Sequence, residues 1–262
     1  FISRYRKERT GGLDEVQIGQ VKHWWQYFAE LDKRKEAVLK SIAEQGALTP
    51  ELEDKIKGQT DLCCLEDLYL PFRPKRKTRA SVAVSLGLAP LAEAIYDFKS
   101  DAPYALAAKY LTDEVPDVDA AIAGARDIIA EKVSENAEVR QSLRESYLKW
   151  GVVASRQSRE GAAKSEESDK YRNYFDHREP LSRIASHRLL AILRGGNEGM
   201  LSIKIEVDAD RTIDRITRIV TKGRRFPTKE VRDIMEDAIA DGYKRLLHPS
   251  IEKEALRHAK EK

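Results

Sequence analysis

The stretch from Asp14 to Gln45 decides the fold class, and its sequence is DEVQIGQVKHWWQYFAELDKRKEAVLKSIAEQ. Its apolar residues recur at helical spacing: Val16, Val21, Trp25, Phe28, Leu31, Val38 and Ile42. Because residues three and four positions apart share one face of an α-helix, the pattern predicts one long amphipathic helix that ends before Gly46. Trp24 and Trp25 would lie about 100° apart on it. We therefore expect one of them to be buried, with a base-stacking platform as the alternative.

Helix-start signals along the rest of the chain extend this prediction. Side chains such as those of Thr49, Asp61 and Asp117 can accept hydrogen bonds from first-turn N–H groups. Further helices are predicted from Thr49, from Asp61, from Thr78 to Leu86, from Pro90 to about Phe98, from Val118 to about Val133, from Asn136 to about Trp150 and from Ser182 to Arg194. The glycine-rich segment 195–199 is expected to stop the last of these.

One segment has the alternation that is typical of a β-strand. Leu201, Ile203, Ile205 and Val207 alternate with Ser202, Lys204 and Glu206. Because one strand cannot satisfy its own backbone hydrogen bonds, it needs a partner, and the segment Gly151–Ser155 offers one. The sequence therefore predicts a mostly α, multi-helical scaffold with one small antiparallel β element, about 151–156 with 200–207.

Composition favours a soluble helical protein rich in surface ion pairs. Of its 262 residues, 35% are charged and 41% are hydrophobic, which is unlike a disordered chain. No apolar run approaches the roughly 18 residues that a membrane span needs, and no signal-peptide pattern opens the chain. We expect a cytoplasmic protein with no membrane partner. The formal charge is only +3, so any affinity for a polyanion must come from local clusters.

Metal and cofactor sites are not expected. Cys63 and Cys64 are adjacent in an apolar helical stretch, where we expect at least one of them in the core, and no second Cys or His pair completes a zinc spacing. Two acidic segments, 113–119 and 208–210, could bind a divalent cation. Helix capping, by Asp117 and Asp210, is the favoured interpretation.

Three basic clusters are candidate contacts for phosphate. The first follows Pro71, whose fixed φ should help to hold an exposed, stiff connection, and it has no acidic residue. Its cations are Arg73, Lys75, Arg76, Lys77 and Arg79.

The second cluster lies on a predicted helix. Its cations are spaced four, three and four residues apart and share one face: Arg211, Arg215, Arg218 and Lys222. Such a row could neutralise phosphates, and the alternative is a solvated face with an Asp214–Arg218 pair.

The third cluster is Arg4, Arg6 and Lys7, which surround Tyr5. An aromatic ring among cations could stack on a base. Packing, with an arginine paired to a carboxylate, is equally compatible with the pattern.

Five blocks, in order along the chain, carry a family resemblance: FISRYRKERTGGLDE (1–15), LEDLYLPFRPKRKTR (65–79), YFD (174–176), SHRLLAILRG (186–195) and YKRLL (243–247). These blocks resemble the Tex family of bacterial transcription accessory proteins, with Ser3 and Phe72 in place of the expected alanine and tyrosine. The resemblance implies a parent with a helix-turn-helix domain, a YqgF-type ribonuclease-H-like domain, helix-hairpin-helix motifs and an RNA-binding OB-fold domain. The sheet of that ribonuclease-H-like domain is the competing partner for the predicted strand.

The expected organisation has four regions. Residues 1–46 would hold the end of a helix-turn-helix-like region and the long helix, and 47–155 a helical domain. Residues 156–180 have little apolar character in their first part and would form a mobile loop or linker. Residues 181–262 would be helical with one strand, leading into a YqgF-type domain.

The expected function is a nucleic-acid-binding transcription accessory scaffold with auxiliary phosphate contacts and no catalytic machinery. RNA or DNA is the expected partner, and RNA polymerase or other transcription factors are further candidates. One alternative is a protein-interaction scaffold without nucleic-acid contact, which should expose a sizeable apolar patch. The other is part of a ribonuclease-H-like nuclease or resolvase, which needs a metal-binding carboxylate cluster. The oligomeric state is left open.

Overall fold

The computed structural model describes residue 9 and the ranges 11–74, 77–163 and 165–261. The chain forms two compact units, the first ending at Pro74 and the second beginning at Lys75. Each unit is built around its own hydrophobic core. The expected division into four regions stays a prediction.

The first unit begins with the long helix that the sequence predicts. Helix α1 is Glu15–Glu44, and a reciprocal capping box between Asp14 and Gln17 starts it. Gly46 adopts φ +68° just after its end, a conformation that glycine reaches without a Cβ penalty. The shorter helices of the unit are α2, Pro50–Lys57, and α3, Leu62–Tyr69, capped by Thr49 and Asp61, with a 3₁₀ turn at Leu70–Phe72.

The core of the first unit lies under the C-terminal half of α1. Its buried residues are Leu31, Val38, Ile42, Ile56, Leu65 and Tyr69. Arg34 on α1 forms an ion pair with Glu66 on α3, with Nε and Oε1 2.5 Å apart, and its guanidinium lies 5.3 Å from the ring centroid of Tyr69. Cys63 and Cys64 are both half-buried, so the expectation that one of them belongs to the core is wrong.

The N-terminal half of α1 leaves its apolar face exposed. Trp24 is 53% exposed and Trp25 is 71% exposed, so the expected burial of one tryptophan is wrong. The reason is that the buried residues of this helix begin at Leu31. Trp24 instead contacts rings of its own helix, with ring centroids 5.6 Å from Tyr27 and 6.0 Å from Phe28.

The second unit begins with helices around one central helix, α7. The bounds are α4, Arg79–Ser85; α5, Ala89–Tyr96; α6, Pro103–Ala107, followed by a 3₁₀ turn at Ala108–Tyr110; α7, Val118–Ser134; and α8, Ala137–Trp150. Caps at Thr78 and Asp117 start α4 and α7, as predicted, and Asn136 caps α8. Helix α7 buries Ala121, Ile129 and Val133 in the core.

The rest of the second unit combines a small sheet with further helices. Its elements are β1, Val152–Gln157; α9, Arg159–Ala163; α10, Ser165–Ser168; a 3₁₀ helix, Asp169–Tyr174; β2, Asp176–Pro180; α11, Ser186–Asn197; β3, Leu201–Glu206; α12, Ala209–Thr221; α13, Lys229–Gly242; a π-helical turn, Tyr243–Leu247; and α14, His248–Glu261. The mostly α class is thereby confirmed.

The sheet is antiparallel with the strand order β2-β1-β3. Val152 pairs with Glu206 and Gln157 with Leu201, which confirms the predicted pairing of the two segments. The third strand, β2, has the polar sequence DHREP, which lacks the apolar alternation that would predict a strand. It lies in the stretch that was expected to be a mobile loop, which instead contains short helices and this strand. Ser155 donates a 2.7 Å hydrogen bond to the carbonyl of Tyr174, which ties that stretch to the sheet.

Two local predictions near β3 are also wrong. Gly195 and Gly196 lie inside α11, whereas the sequence suggested that they stop it. A Cβ on Gly195 would lie 2.7 Å from Leu201 Cδ1, and one on Gly196 would meet Ile203, so these glycines allow α11 to pack closely on β3. The N-cap of α12 is Asp208, which accepts from the N–H of Arg211, whereas Asp210 was expected.

Candidate nucleic-acid interface

Helix α12 has two contrasting faces. Thr212, Ile216 and Val220 are buried against the core of the second unit. Three cations of the opposite face are exposed: Arg211, Arg215 and Arg218. The spacing of four and then three residues places them along one side of the helix, as the sequence predicts.

These arginines line one wall of a groove whose other wall is α8. The groove has a volume of about 690 Å³. Among the described residues it is lined by Glu138 and Ser142 on α8 and by Arg211, Asp214, Arg215, Arg218 and Ile219 on α12. The exposed face of α12 is therefore one side of a concave surface, in which ligand atoms can be contacted from two helices.

The arginines of the groove have weak or solvent-exposed partners. Arg211 is 88% exposed, and its Nε lies 3.2 Å from Asp208 Oδ2. Arg215 Nη1 donates a long 3.5 Å hydrogen bond to Ser142 Oγ. Within the described parts of the chain, Arg218 does not form the ion pair with Asp214 that their spacing suggested. Since exposed pairs contribute about 0–1 kcal/mol, a phosphate can displace them at low cost.

Two cations at the C-terminal end of α12, Lys222 and Arg224, have different surroundings. Lys222 is exposed and ends the helix in a left-handed conformation with φ +52°. Arg224 is held by the protein, because its guanidinium lies 4.6 Å from the ring centroid of Phe98 and donates to the carbonyls of Thr221 and Asp97. Lys222 therefore stays with the candidate cations, whereas Arg224 has a structural role.

The basic cluster at 73–79 is only partly described. Arg73 and Lys77 are exposed, whereas Lys75 and Arg76 lie outside the described residues. Arg79, the first residue of α4, lines a cavity of about 500 Å³ whose lining includes Asp127, Asp237 and Asp241. Arg79 is exposed like Arg73 and Lys77, and it interacts electrostatically with Asp241, although the same lining also contains the cations Arg126 and Lys244. The third predicted cluster, Arg4, Arg6 and Lys7, lies entirely outside the described residues.

Two carboxylates of this lining, Asp241 and Asp127, also contact Arg245 of the π-helical turn. Arg245 Nη2 lies 2.6 Å from Asp241 Oδ2 and 3.6 Å from Asp127 Oδ1. The hydrogen bond from Arg245 is the main reason that the pKa of Asp241 lies below its usual value, and Arg79 adds a smaller electrostatic contribution. The carboxylate therefore stays ionised and keeps its attraction for Arg79.

The α8 wall of the groove is held in place by a polar network with α14. Arg140 Nη2 lies 2.5 Å from Glu254 Oε1, and Arg144 Nη2 lies 2.9 Å from Glu254 Oε2. Arg140 also donates a 3.0 Å hydrogen bond to Ser250. Arg140 and Arg144 thus join one side of α8 to α14. The other side of α8, with Glu138 and Ser142, lines the groove.

A second buried polar cluster joins α8 to the π-helical turn. Tyr147 Oη lies 2.6 Å from His248 Nδ1 and 3.2 Å from Tyr243 Oη. Burial, together with the hydrogen bond to Tyr243, raises the pKa of the Tyr147 hydroxyl well above its usual value, so the group stays neutral. The π turn precedes Pro249, whose ring would clash with the carbonyl four residues earlier in a regular α-helix. This cluster was not predicted, and the one signal for it that the sequence offers is the pair His248-Pro249.

Among the described residues, neither a metal-binding cluster nor a membrane-spanning helix is present. Across residue 9 and the ranges 11–74, 77–163 and 165–261, no group of three His, Cys, Asp or Glu side chains could hold a metal ion. Within the same part of the chain, no helix is long and apolar enough to cross a membrane.

Two family models match this chain. One is described as Tex central region-like and matches residues 99–262, and the other is described as Tex-like protein N-terminal domain and matches residues 1–43. The chain belongs to the Tex family. The resemblance inferred from the sequence blocks is thereby confirmed.

Curated relatives of this Tex-family chain are longer proteins. Transcriptional accessory protein Tex of Neisseria gonorrhoeae is 40% identical over 265 residues, which cover 100% of this chain and 34% of that protein. Protein YhgF of Escherichia coli strain K12 is 44% identical over 210 residues, or 79% of this chain and 27% of the relative. S1 RNA-binding domain-containing protein 1 of Homo sapiens is 24% identical over 261 residues, which cover 95% of this chain and 26% of that protein. The chain thus spans about a third of the length of the curated relatives that cover it fully.

The Tex central region contains the whole groove. The matched range 99–262 includes α8, the sheet and α12, and therefore the three arginines that line the groove. The basic cluster at 73–79 lies between the two matched ranges. The groove is accordingly the predicted phosphate site whose described geometry is most complete.

Proposed function

We propose that this Tex-family chain is a helical scaffold of a transcription accessory protein that binds nucleic acid through phosphate contacts in the α8–α12 groove. The observation that carries this proposal is that Arg211, Arg215 and Arg218 are exposed together along one groove. Names of relatives support the context, since one is a transcriptional accessory protein and another is named for an S1 RNA-binding domain. The protein would act in the cytoplasm, with RNA polymerase or another transcription factor as a further partner.

Guanidinium groups suit this role because of their geometry and charge. A planar guanidinium offers parallel N–H donors that match two phosphate oxygens, and it stays charged at any physiological pH. Neutralising phosphates releases condensed counterions, so binding should be sensitive to salt and largely independent of base sequence. The row on α12 would thus position a strand without reading its sequence.

Carboxylates in the groove limit the expected affinity. Glu138 and Asp214 line the same surface as the arginines, and Asp208 is paired with Arg211. These negative charges repel phosphate, so the groove should hold a strand weakly at physiological salt and strongly at low salt. This balance fits an auxiliary contact within a longer protein.

The proposal is tested by replacing the three groove arginines together with alanine. Fluorescence anisotropy of a labelled single strand, measured between about 50 and 200 mM salt, should lose about two units of the log–log salt slope, since single strands release about 0.7 counterion per phosphate contact. The charge-matched control replaces Arg183, Lys229 and Lys253, which are exposed and are not among the described residues of the groove lining. Equal slopes in the two triple variants would overturn the proposal.

We also infer that the chain itself is not an enzyme. Its proposed task is to hold nucleic acid, for which the exposed arginines suffice. Labelled RNA and DNA incubated with the chain and Mg²⁺ should therefore stay intact on a denaturing gel. Cleavage that depends on Mg²⁺ would contradict this inference and favour the ribonuclease-H-like alternative.

A second candidate function, a protein-interaction scaffold, is favoured by the exposed face of α1. The large apolar side chains of this face are Val16, Val21, Trp24, Trp25 and Phe28. If this face binds RNA polymerase, Trp25→Glu should abolish co-sedimentation with polymerase and leave oligonucleotide affinity unchanged. If the face has no such role, the variant should behave like the unmodified chain in both assays.

A further inference from the structure

Trp150 lies at the end of the arginine-lined groove. It is the last residue of α8 and is 65% exposed. It lines a second cavity of about 440 Å³, together with Ser146, Val207, Asp208, Arg211, Thr212 and Arg215. Arg211 and Arg215 also line the first cavity, so the two cavities adjoin at these arginines.

The α8 residues that line the two cavities form a slanted stripe with a spacing of four residues: Glu138, Ser142, Ser146 and Trp150. At 1.5 Å per residue, the stripe is about 18 Å long. Its first three members are polar, and the last is a large aromatic ring. The groove therefore combines a cationic wall on α12 with one aromatic surface at its end.

Exposure of this ring has no explanation in the packing of α8. On the same helix, Tyr147 is fully buried, so α8 can bury a large aromatic side chain where the core needs one. An exposed indole forgoes the favourable burial of its apolar surface, which costs free energy. Lys149 Nζ lies 4.9 Å from the ring centroid, and Arg211 and Arg215 line the same cavity as the ring.

We propose that Trp150 is a base-stacking platform that makes the groove selective for single-stranded nucleic acid. Proteins that bind single strands combine cations that follow the phosphates with aromatic side chains on which bases stack. In a duplex the base faces are already stacked on each other, so an indole at the side of the groove gains nothing from them. This proposal rests on the proposed function, because the arginines must hold the strand whose base stacks on Trp150.

An acidic peptide is the other polyanion that cations could recruit, and base stacking distinguishes the two. Poly-glutamate can neutralise Arg211 and Arg215, but it has no planar ring to place on the indole. It should therefore compete poorly with a single strand of equal charge. Displacement of the strand by poly-glutamate at equal charge concentration would overturn the proposal.

The main experiment compares Trp150→Ala, Trp150→Phe and the unmodified 262-residue chain. Trp150→Ala should weaken binding of single-stranded oligo-uridine and oligo-thymidine by about 5- to 150-fold, the range for loss of one stacked base. Phenylalanine keeps a π face and should restore most of the affinity. Neither change alters a charge, so the salt slope should stay the same, and affinity for duplex DNA should not change.

A direct readout uses the fluorescence of Trp150 itself. The chain has three tryptophans, so Trp24→Phe with Trp25→Phe leaves Trp150 as the sole indole, and both replaced residues are exposed. Stacking of a base should quench this fluorescence, whereas an abasic oligonucleotide of the same length should bind more weakly and quench little. The two substitutions in α1 lie in the other compact unit and leave the groove unchanged.

The outcomes separate this proposal from the one on which it rests. If the arginine triple variant loses salt-dependent binding while Trp150→Ala binds single strands like the unmodified chain, stacking is overturned and the phosphate groove stands. If the unmodified chain binds neither single strands nor duplex at low salt, both proposals fail. A preference for single strands that disappears in Trp150→Ala and returns in Trp150→Phe supports both.

Discussion

Glycines in this chain differ in what an added methyl group would meet. At Gly19, on the exposed part of α1, a Cβ would have no neighbour within 4 Å. At Gly242, at the end of α13, a Cβ would lie 2.8 Å from the carbonyl oxygen of Ala130 and 3.3 Å from its Cα. The atoms near Gly242 are backbone atoms of α7, which cannot move aside without separating two packed helices.

The same substitution should therefore have opposite effects at these two positions. Gly19→Ala should stabilise its unit by up to about 1 kcal/mol, because alanine is the better helix former. Gly242→Ala gains the same propensity but should be destabilising on balance, since overpacking a close contact costs about 1–3 kcal/mol. Urea unfolding followed by circular dichroism measures both, and stabilisation by Gly242→Ala would contradict the close contact of α7 with α13.

At the scale of elements, β2 shows where local sequence patterns fail. Its sequence, DHREP, has no apolar alternation. Its pairing with β1 therefore depends on tertiary contacts and not on a local pattern. A side-chain contact joins β2 to α11: Arg188 Nη1 lies 2.6 Å from Glu179 Oε2, and His177 Nε2 lies 3.2 Å from the same oxygen. The hydrogen bond from Arg188 is the main reason that the pKa of Glu179 lies below its ordinary value of 4.5.

This pKa shift predicts a stability effect in acid. A carboxyl whose pKa is lower in the folded state contributes stability above its unfolded pKa, and the contribution is lost as the pH falls through the folded pKa. Glu179→Gln should therefore reduce stability at pH 7 and flatten the loss of stability below about pH 4.5. Urea midpoints measured at several pH values check this, and an unchanged acid limb would show that β2 and α11 are not coupled through Glu179.

The network between α8 and α14 makes a second prediction at this scale. Glu254 accepts from both Arg140, which is almost fully buried, and Arg144. Glu254→Ala removes this carboxylate from two largely buried guanidinium groups and should destabilise the second unit by about 3 kcal/mol.

The matched control for that change is Asp237→Ala. It breaks the exposed pair between Arg126 and Asp237 and should cost less than about 1 kcal/mol. Comparable losses in the two variants would mean that burial does not decide the strength of these pairs.

Features that depend on local interactions were easier to predict from the sequence than features that depend on tertiary contacts. Most capped helices were predicted from local signals, such as Asp14 at the start of α1 and Thr78 at the start of α4, but α13 was not, although Thr228 caps it. The pairing of β1 with β3 was also found, because β3 alternates cleanly. Burial of Trp24 or Trp25 could not be predicted, since it depends on which elements cover the first half of α1.

The candidate site was found in part for the same reason. The exposed arginines of α12 follow from helical spacing, which a sequence displays directly. Trp150 was not recognised, because its meaning depends on α8 lying beside α12 with residues 138, 142, 146 and 150 facing the arginines. Only tertiary structure brings those two stripes together.

At the scale of the whole molecule, the formal charge of +3 leaves little general attraction for a polyanion. The salt dependence of binding should therefore be the sum of a few local clusters. The groove provides three arginines, and the segment 73–79 provides further cations whose settings differ. Arg73, Lys77 and Arg79 are all exposed, but Arg79 also interacts electrostatically with Asp241.

The segment 73–79 can therefore be tested with two variants, in which Arg79→Ala serves as the control for a quadruple replacement. Replacing Arg73, Lys75, Arg76 and Lys77 together with alanine should lower the salt slope by up to about three units for a single strand, if each cation contacts one phosphate. Arg79→Ala should lower the slope less than any one of these four changes, because Arg79 already interacts with the carboxylate of Asp241. The measurement is anisotropy over a salt series, with circular dichroism to verify the fold. A slope that falls in Arg79→Ala and stays constant in the quadruple variant would reverse the assignment, and the phosphate contact would then belong to the cavity that Arg79 lines at the start of α4.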